Sequence, residues 1–222
     1  MKRLANERSV VYVCKVMPST TVLITEQPRN TRSQILQAAA TLFARQGYEA
    51  CSMRDLAREV GLQPSSLYSH FASKQELLRE IAFHCAAAFQ QAVLPLAEEA
   101  VTPEKRLRRM LVAHTEVVIQ LKGQARIFME EWRNLEPADQ TQYARARDRY
   151  EQLFRRVISE GIAKGHFAPI DEKLASLTLL SALNSISAWY RTDGGLTAEQ
   201  LGQRMADLLL NGLIRSAQPQ PN

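Results

Sequence analysis

From Thr31 onward the apolar residues of this chain recur every three or four positions, the spacing of one face of an α-helix. Ile35, Leu36, Ala39, Leu42 and Phe43 form the first such stripe, which Thr31 can cap and Gly47 closes. Ser52-Met-Arg-Asp55 has the Ser-x-x-acid form of a capping box and opens a short helix with Leu56, Ala57 and Val60 inward, ended by Gly61. Pro64 to Phe71 forms a second short helix with proline in its first turn. Ser73-x-x-Glu76 opens a longer helix to about Leu94, where Pro95 kinks or ends it. Further helices are predicted from Thr102 to about Leu121, Gln124 to about Asn134, Glu136-Pro137 to about Lys164, Asp171 through Tyr190, and Thr197 to about Ser216. No strand pattern or internal repeat follows residue 30.

The chain is therefore predicted to be all-α, with about nine helices. A three-helix head occupies residues 29–75 and a larger helical domain residues 76–216. Residues 1–28 are rich in Val and Thr, contain Pro18 and Pro28 and have no helical period; they are expected to be a disordered arm, or a mis-assigned start with Met17 the true first residue. The last six residues, 217–222, are expected to be a disordered tail.

Two short helices around a tight turn are the ingredients of a helix-turn-helix, whose second helix lies in the DNA major groove. Gly61 supplies the positive φ that the turn needs, and Leu56, Ala57, Leu62 and Leu67 the small core that sets the helix angle. The outer face of the second helix then carries Gln63, Ser65, Ser66, Tyr68, Ser69 and His70, hydrogen-bonding groups suited to base edges and phosphates.

Charge agrees with that placement. The net charge is +5, and between Arg29 and Arg79 seven basic residues face four acidic ones, so much of the excess sits in the head. Cys14, Cys51 and Cys85 are odd in number with no C-x-x-C pair, and the four histidines are scattered, which excludes a disulfide framework and gives no metal site. No apolar run approaches the roughly 20 residues of a membrane span. Lys15 interrupts the short apolar stretch at Val10–Val13 too early for a signal peptide, so a cytoplasmic protein is expected. With no Gly-rich phosphate loop, no G-x-S-x-G and no paired catalytic carboxylates, neither enzymatic activity nor a cofactor is expected.

The run Arg32-x-x-Ile35-Leu-x-Ala-Ala39, Leu42-Phe-Ala-x-x-Gly47-Tyr, Ser52-Met-Arg-Asp-Leu-Ala, Gly61-Leu and Ser66-Leu-Tyr-x-His-Phe-x-Ser-Lys74 resembles the N-terminal domain of TetR/AcrR-family regulators over about residues 30 to 80. The resemblance implies a double-stranded DNA operator as partner. It implies that Tyr68 and Lys74 contact phosphates and that His70 lies at the DNA backbone. Ser52 and Arg54 would meet the backbone from the preceding helix, and Gln63, Pro64, Ser65 and Ser66 would read bases. Leu67 and Phe71 are expected in the core.

Beyond residue 80 the resemblance thins, but the family arrangement implies that the last two helices form a four-helix bundle with a second subunit. Leu177, Leu180 and Ile186 on one, and Met205, Leu208, Leu209 and Leu213 on the other, are the expected interface. Their broad apolar faces independently favour a homodimer, whose two-fold axis would match a palindromic operator. An effector pocket should be apolar with a few polar groups, and its candidates are His114, Val118, Leu121, Phe128, Trp132, Tyr143, Tyr150, Asn184 and Trp189. His114 and Asn184 stand out because each is polar within an apolar stretch. The run Lys105-Arg106-x-Arg108-Arg109 suits either coenzyme A phosphates or a solvated helix face. Trp189-Tyr-Arg followed by a Gly-containing turn resembles a subgroup that senses acyl-CoA thioesters, and the same aromatics could instead anchor the loop. The expected function is a homodimeric repressor released from its operator by a small apolar or acyl-CoA-like effector. The alternatives are an efflux-type repressor sensing hydrophobic xenobiotics and a non-sensing structural DNA-binding protein.

Overall fold

Caps and turns set the boundaries of the first four helices. The computed structural model describes residues 31–121, 124 and 129–211. Helix α1 (Thr31–Gln46) stops at Gly47, whose φ of 83° only a residue without Cβ adopts freely. Helix α2 (Met53–Glu59) opens on a complete capping box: the Ser52 hydroxyl accepts from the Asp55 N–H, and the Asp55 carboxylate accepts from the Ser52 N–H. Gly61, at φ 68°, turns the chain into α3 (Pro64–His70), with Pro64 in the first turn. Ser73 caps α4 (Lys74–Ala97) by accepting from the Glu76 N–H. Pro95 does not end α4, which runs on to Ala97; the missing N–H falls in the final turn and costs a single ladder bond. Thr31, expected as a cap, is itself helical.

The larger domain follows as α5 (Pro103–Leu121), a 3-10 turn (Glu131–Asn134), α6 (Pro137–Ala163), α7 (Glu172–Asn184), the single turn α8 (Ile186–Trp189) and α9 (Ala198–Asn211). Asp171 and Thr197 cap α7 and α9 through Leu174 N and Gln200 N. Among the described residues there is no strand, and no helix is long and apolar enough to cross a membrane.

Two helices differ from expectation. The segment expected to be helical up to Asn134 is helical at the described Gln124, Met129 and Glu130 and ends in a 3-10 turn, where the Asn134 side chain bonds back to Glu131 and the Leu135 N–H closes on Trp132. The helix expected through Tyr190 breaks at Ser185. There Ser185 and Ser187 turn their hydroxyls onto the carbonyls of Ala182 and Asn184 and compete with the ladder. Residues 1–28 and 217–222, together with Phe128 and Leu213, lie outside the described residues.

The head closes around Ile35, Phe43, Leu56, Leu67 and Phe71, all buried, and joins the body through Leu77, Leu78 and Ile81 of α4. Arg32 of α1 lies over the Phe71 ring, 4.1 Å from its centroid, and pairs with Glu76 and Glu80 of α4. Helix α4 thus starts in the head and runs into the body, where α5 packs against α4, α6, α7 and α9. Close approach of α9 to α5 requires Gly202, where an added Cβ would lie 3.1 Å from Val112 Cα.

Candidate DNA-reading head and effector cleft

The second helix of the head presents Gln63, Pro64, Ser65, Ser66, Tyr68 and Ser69 to solvent while Leu67 is fully buried. Ser52 and Arg54 are exposed at the start of α2, and His70 is half-buried. Asp55 is held below the ordinary carboxylate range, first by its hydrogen bonds from Ser52, so the capping carboxylate stays charged. The reading helix is short, and its presentation depends on what holds its neighbours.

Lys74 occupies an unexpected place in that arrangement. Its half-buried ammonium donates to the carbonyls of Tyr48 and Cys51, both at 3.0 Å, and sits 4.1 Å from the centroid of the Tyr48 ring. An ammonium has three donors, so one remains for a phosphate. Lys74 is first a clamp between α4 and the α1–α2 connection. Burial, with Glu49, Glu136 and Glu131 nearby, pushes the Tyr48 hydroxyl up to about 12, so that ring stays neutral. Cys51 is buried between them, as a small filler, with its thiol raised by burial.

In the body, His114 of α5 is buried between Tyr150 of α6 and Asn184 of α7. Its Nδ1 lies 2.8 Å from the Tyr150 hydroxyl and its Nε2 3.1 Å from Asn184 Oδ1. Burial pushes the imidazole down to about 4, with the Asn184 bond acting weakly the other way, so His114 is neutral. With a neutral ring, Nε2 donates to Asn184 and Nδ1 accepts from Tyr150. Phe89 and Phe154 close around the three, their rings 4.8 Å and 6.3 Å from that of His114.

On the outer side of this cluster a cleft of about 580 Å³ opens between α6 and α7. Trp132, Tyr150, Leu177 and Leu180 give it apolar walls, and Asn184 lies at its inner end. Arg147, Arg155 and Lys173 face Asp148 and Glu151 along it, with Arg155 already paired to Glu151. The Trp132 ring stacks on buried Tyr143 at 5.9 Å.

Of the expected pocket residues, His114, Trp132, Tyr143, Tyr150 and Asn184 are thus brought together. Val118 lines a separate cleft of about 470 Å³ with Ile186, Tyr190 and Arg191. Leu121 lines neither, and Trp189 is 52% exposed on the outside of α8. Of the basic run on α5, Arg106, Arg108 and Arg109 pair with Glu160, Asp207 and Glu99.

Residues 35–81 match the bacterial regulatory proteins of the tetR family, and residues 100–213 match the tetracyclin repressor-like C-terminal domain. The chain belongs to the TetR family. A curated relative is the HTH-type transcriptional repressor KstR2 of Mycolicibacterium smegmatis, 30% identical over 196 residues, 86% of this chain and 94% of that one. The solved KstR2 of Mycobacterium tuberculosis superposes with a TM-score of 0.79 at 27% identity, covering 86% of this chain and 98% of the other. AibR, solved in complex with isovaleryl coenzyme A and operator DNA, gives 0.73 at 25% identity, with 82% and 98% covered. As a TetR-family member the protein is a DNA-binding transcriptional regulator with a helix-turn-helix head and a helical C-terminal domain.

Within this TetR-family body the expected interface residues divide. Ile186 and Leu180 are buried inside the subunit, so their side chains belong to its core and not to a partner's. Leu177 and Leu208 are exposed, while Met205 and Leu209 are partly covered. Two exposed apolar residues were not anticipated, Ile170 and Leu174, the latter 65% exposed. The spacing of Leu174 three residues before Leu177 was the available signal. Likewise Arg147, Glu151 and Arg155 on α6, and Lys173, Leu177 and Ser181 on α7, recur every four residues and face the cleft together.

Proposed function

We propose that this protein is a homodimeric repressor that leaves a palindromic operator when an amphipathic, anionic acyl molecule of the acyl-CoA type enters the cleft between α6 and α7. The observation that carries the effector assignment is the buried His114–Tyr150–Asn184 cluster beside a cleft that Arg147 and Lys173 line together with Asp148 and the Arg155–Glu151 pair. An apolar chain suits Trp132, Leu177 and Leu180, while Arg147 and Lys173 favour a negatively charged end over a neutral xenobiotic. The relation to AibR, whose structure holds isovaleryl coenzyme A, supports the same class.

On DNA, Gln63, Pro64, Ser65 and Ser66 read base edges, and Tyr68, His70, Ser52 and Arg54 contact the backbone, in keeping with the exposure of all but the half-buried His70. Lys74 adds at most one phosphate bond to its role as a clamp. The dimer forms through α7 and α9, where Leu174 and Leu208, with Ile170 just before α7, would otherwise leave large apolar side chains in water. Effector binding moves α4, which links body to head, and takes the two reading helices out of register with successive major grooves.

The test is fluorescence anisotropy with a duplex recovered from random DNA by selection on the purified protein. Isovaleryl- and longer-chain acyl-coenzyme A are expected to lower DNA affinity roughly 5- to 150-fold. A protein that releases its DNA only with neutral apolar compounds, or with none of these thioesters, would sink the effector assignment.

A further inference from the structure

Between the cleft and the reading head lies the 3-10 turn Glu131–Asn134, and its four residues face two ways. On the head side, Glu131 Oε1 accepts from the Tyr48 N–H at 3.3 Å, and Glu131 Oε2 accepts from Asn134 Nδ2 at 2.7 Å. The Asn134 carbonyl accepts from Gln75 Nε2 at 2.7 Å, in the first turn of α4. Tyr48 is the residue whose carbonyl and ring hold Lys74. One turn therefore grips both sides of the clamp that fixes the head. Its far end is tied to α6, where Gln140 Nε2 donates to the carbonyls of Arg133 and Leu135 and where Asp139 pairs with Arg79 of α4.

On the body side, Trp132 forms part of the cleft wall, with the Arg147 guanidinium 5.7 Å from its ring centroid. Its Nε1 is buried and has no acceptor among the described residues. Gln75 Oε1, at the other edge of the same turn, is likewise buried without a donor. Buried polar groups are nearly always satisfied, and two orphans flanking one short turn mark a segment that gains a hydrogen bond by moving. Because Trp132 Nε1 is covered, a ligand oxygen reaches it only if the turn shifts toward the cleft.

We propose that the turn Glu131–Asn134 couples the cleft to the DNA-reading head: Trp132 Nε1 takes an acceptor oxygen of the ligand, a thioester carbonyl or a carboxylate. That movement releases the Glu131–Tyr48 and Asn134–Gln75 hydrogen bonds. Glu131 is then a positioning residue for the head, acting on DNA without touching it. The ligand half of this assignment rests on the cleft being the effector site; the mechanical half does not.

The test uses the full chain, the selected duplex and amide hydrogen exchange. The Tyr48 N–H has Glu131 as its acceptor, so Glu131→Ala is expected to speed exchange at Tyr48. It should also weaken DNA binding about 2- to 12-fold, the span that loss of one hydrogen bond gives. Trp132→Ala is expected to speed exchange at Tyr48 with no ligand present, and the double variant to bind DNA no more weakly than the weaker single one. Should Trp132→Ala not fold, Asn134→Ala removes the other hydrogen bond of Glu131 and enters the same cycle. Trp132→Phe keeps the stack on Tyr143 but removes Nε1, and isovaleryl-coenzyme A is expected to lower its DNA affinity by a smaller factor than it lowers that of the unaltered chain. Unaltered exchange at Tyr48 in the Trp132→Ala or Asn134→Ala variant, or effects that multiply in the double variant, would overturn the coupling. If isovaleryl-coenzyme A fails to bind the unaltered chain while the ligand-free cycle behaves as described, the cleft assignment falls and the coupling stands.

Discussion

Protonating His114 in the folded protein places a charge among Phe89, Phe154, Tyr150 and Asn184, with no carboxylate among its hydrogen-bond partners. The imidazole titrates near the ordinary 6.5 in the unfolded chain and is pushed down to about 4 by burial in the folded one. As pH falls, the unfolded chain therefore takes up a proton first, and stability present above pH 6.5 is lost progressively toward pH 4. Linkage between those two values removes about 2 kcal/mol between pH 7 and pH 5. That is a sizeable part of a typical total of about 5–15 kcal/mol. The measurement is urea unfolding followed by circular dichroism at pH 7 and pH 5, at one fixed protein concentration. His114→Gln, which cannot take up the proton, will be less stable at pH 7 because it disturbs the packed cluster. Its loss between pH 7 and pH 5, however, should be smaller than that of the unaltered chain by about 2 kcal/mol. Equal losses in the two proteins would mean that His114 is not the buried neutral group described.

Lys74→Met removes two hydrogen bonds to backbone carbonyls, and charge-assisted bonds of this kind contribute about 1.5–3 kcal/mol each before discount for partial exposure. Thermal unfolding should therefore shift down together with DNA affinity; weaker DNA binding at an unchanged Tm would make Lys74 a phosphate ligand alone. Leu174→Asp with Leu208→Asp puts charge on both exposed apolar helices, and sedimentation velocity should report a monomer. A dimer that persists would place the interface elsewhere.

The head was legible because its signals are local. The Ser52–Asp55 capping box, the positive φ at Gly61, Pro64 in the first turn and the buried pair Leu67 and Phe71 each depend on a few neighbours in sequence. The body was less legible because its chemistry depends on partners far along the chain. Arg106 meets Glu160 and Arg108 meets Asp207, partners 54 and 99 residues away that the basic run itself does not announce. His114 and Asn184 were recognisable as polar residues in apolar stretches, but their union through Tyr150 needs the packing of α5, α6 and α7. The place of Trp189 was hidden for a related reason. The serine-rich break at Ser185 redirects the chain and leaves its indole outside, which a continuous helical period cannot reveal.

The claim on which the rest depends is that α3 reads operator bases through Gln63 to Ser66. Selection of binding sites from random duplexes, run in parallel on the unaltered protein and on Gln63→Ala and Ser65→Ala, tests it directly. Each variant should lose preference at one or two positions in each half-site, by about 1–3 kcal/mol per base pair, and keep the salt dependence of binding. Identical selected sequences from all three proteins would contradict the account, because the helix placed in the groove would then not be the one that reads it.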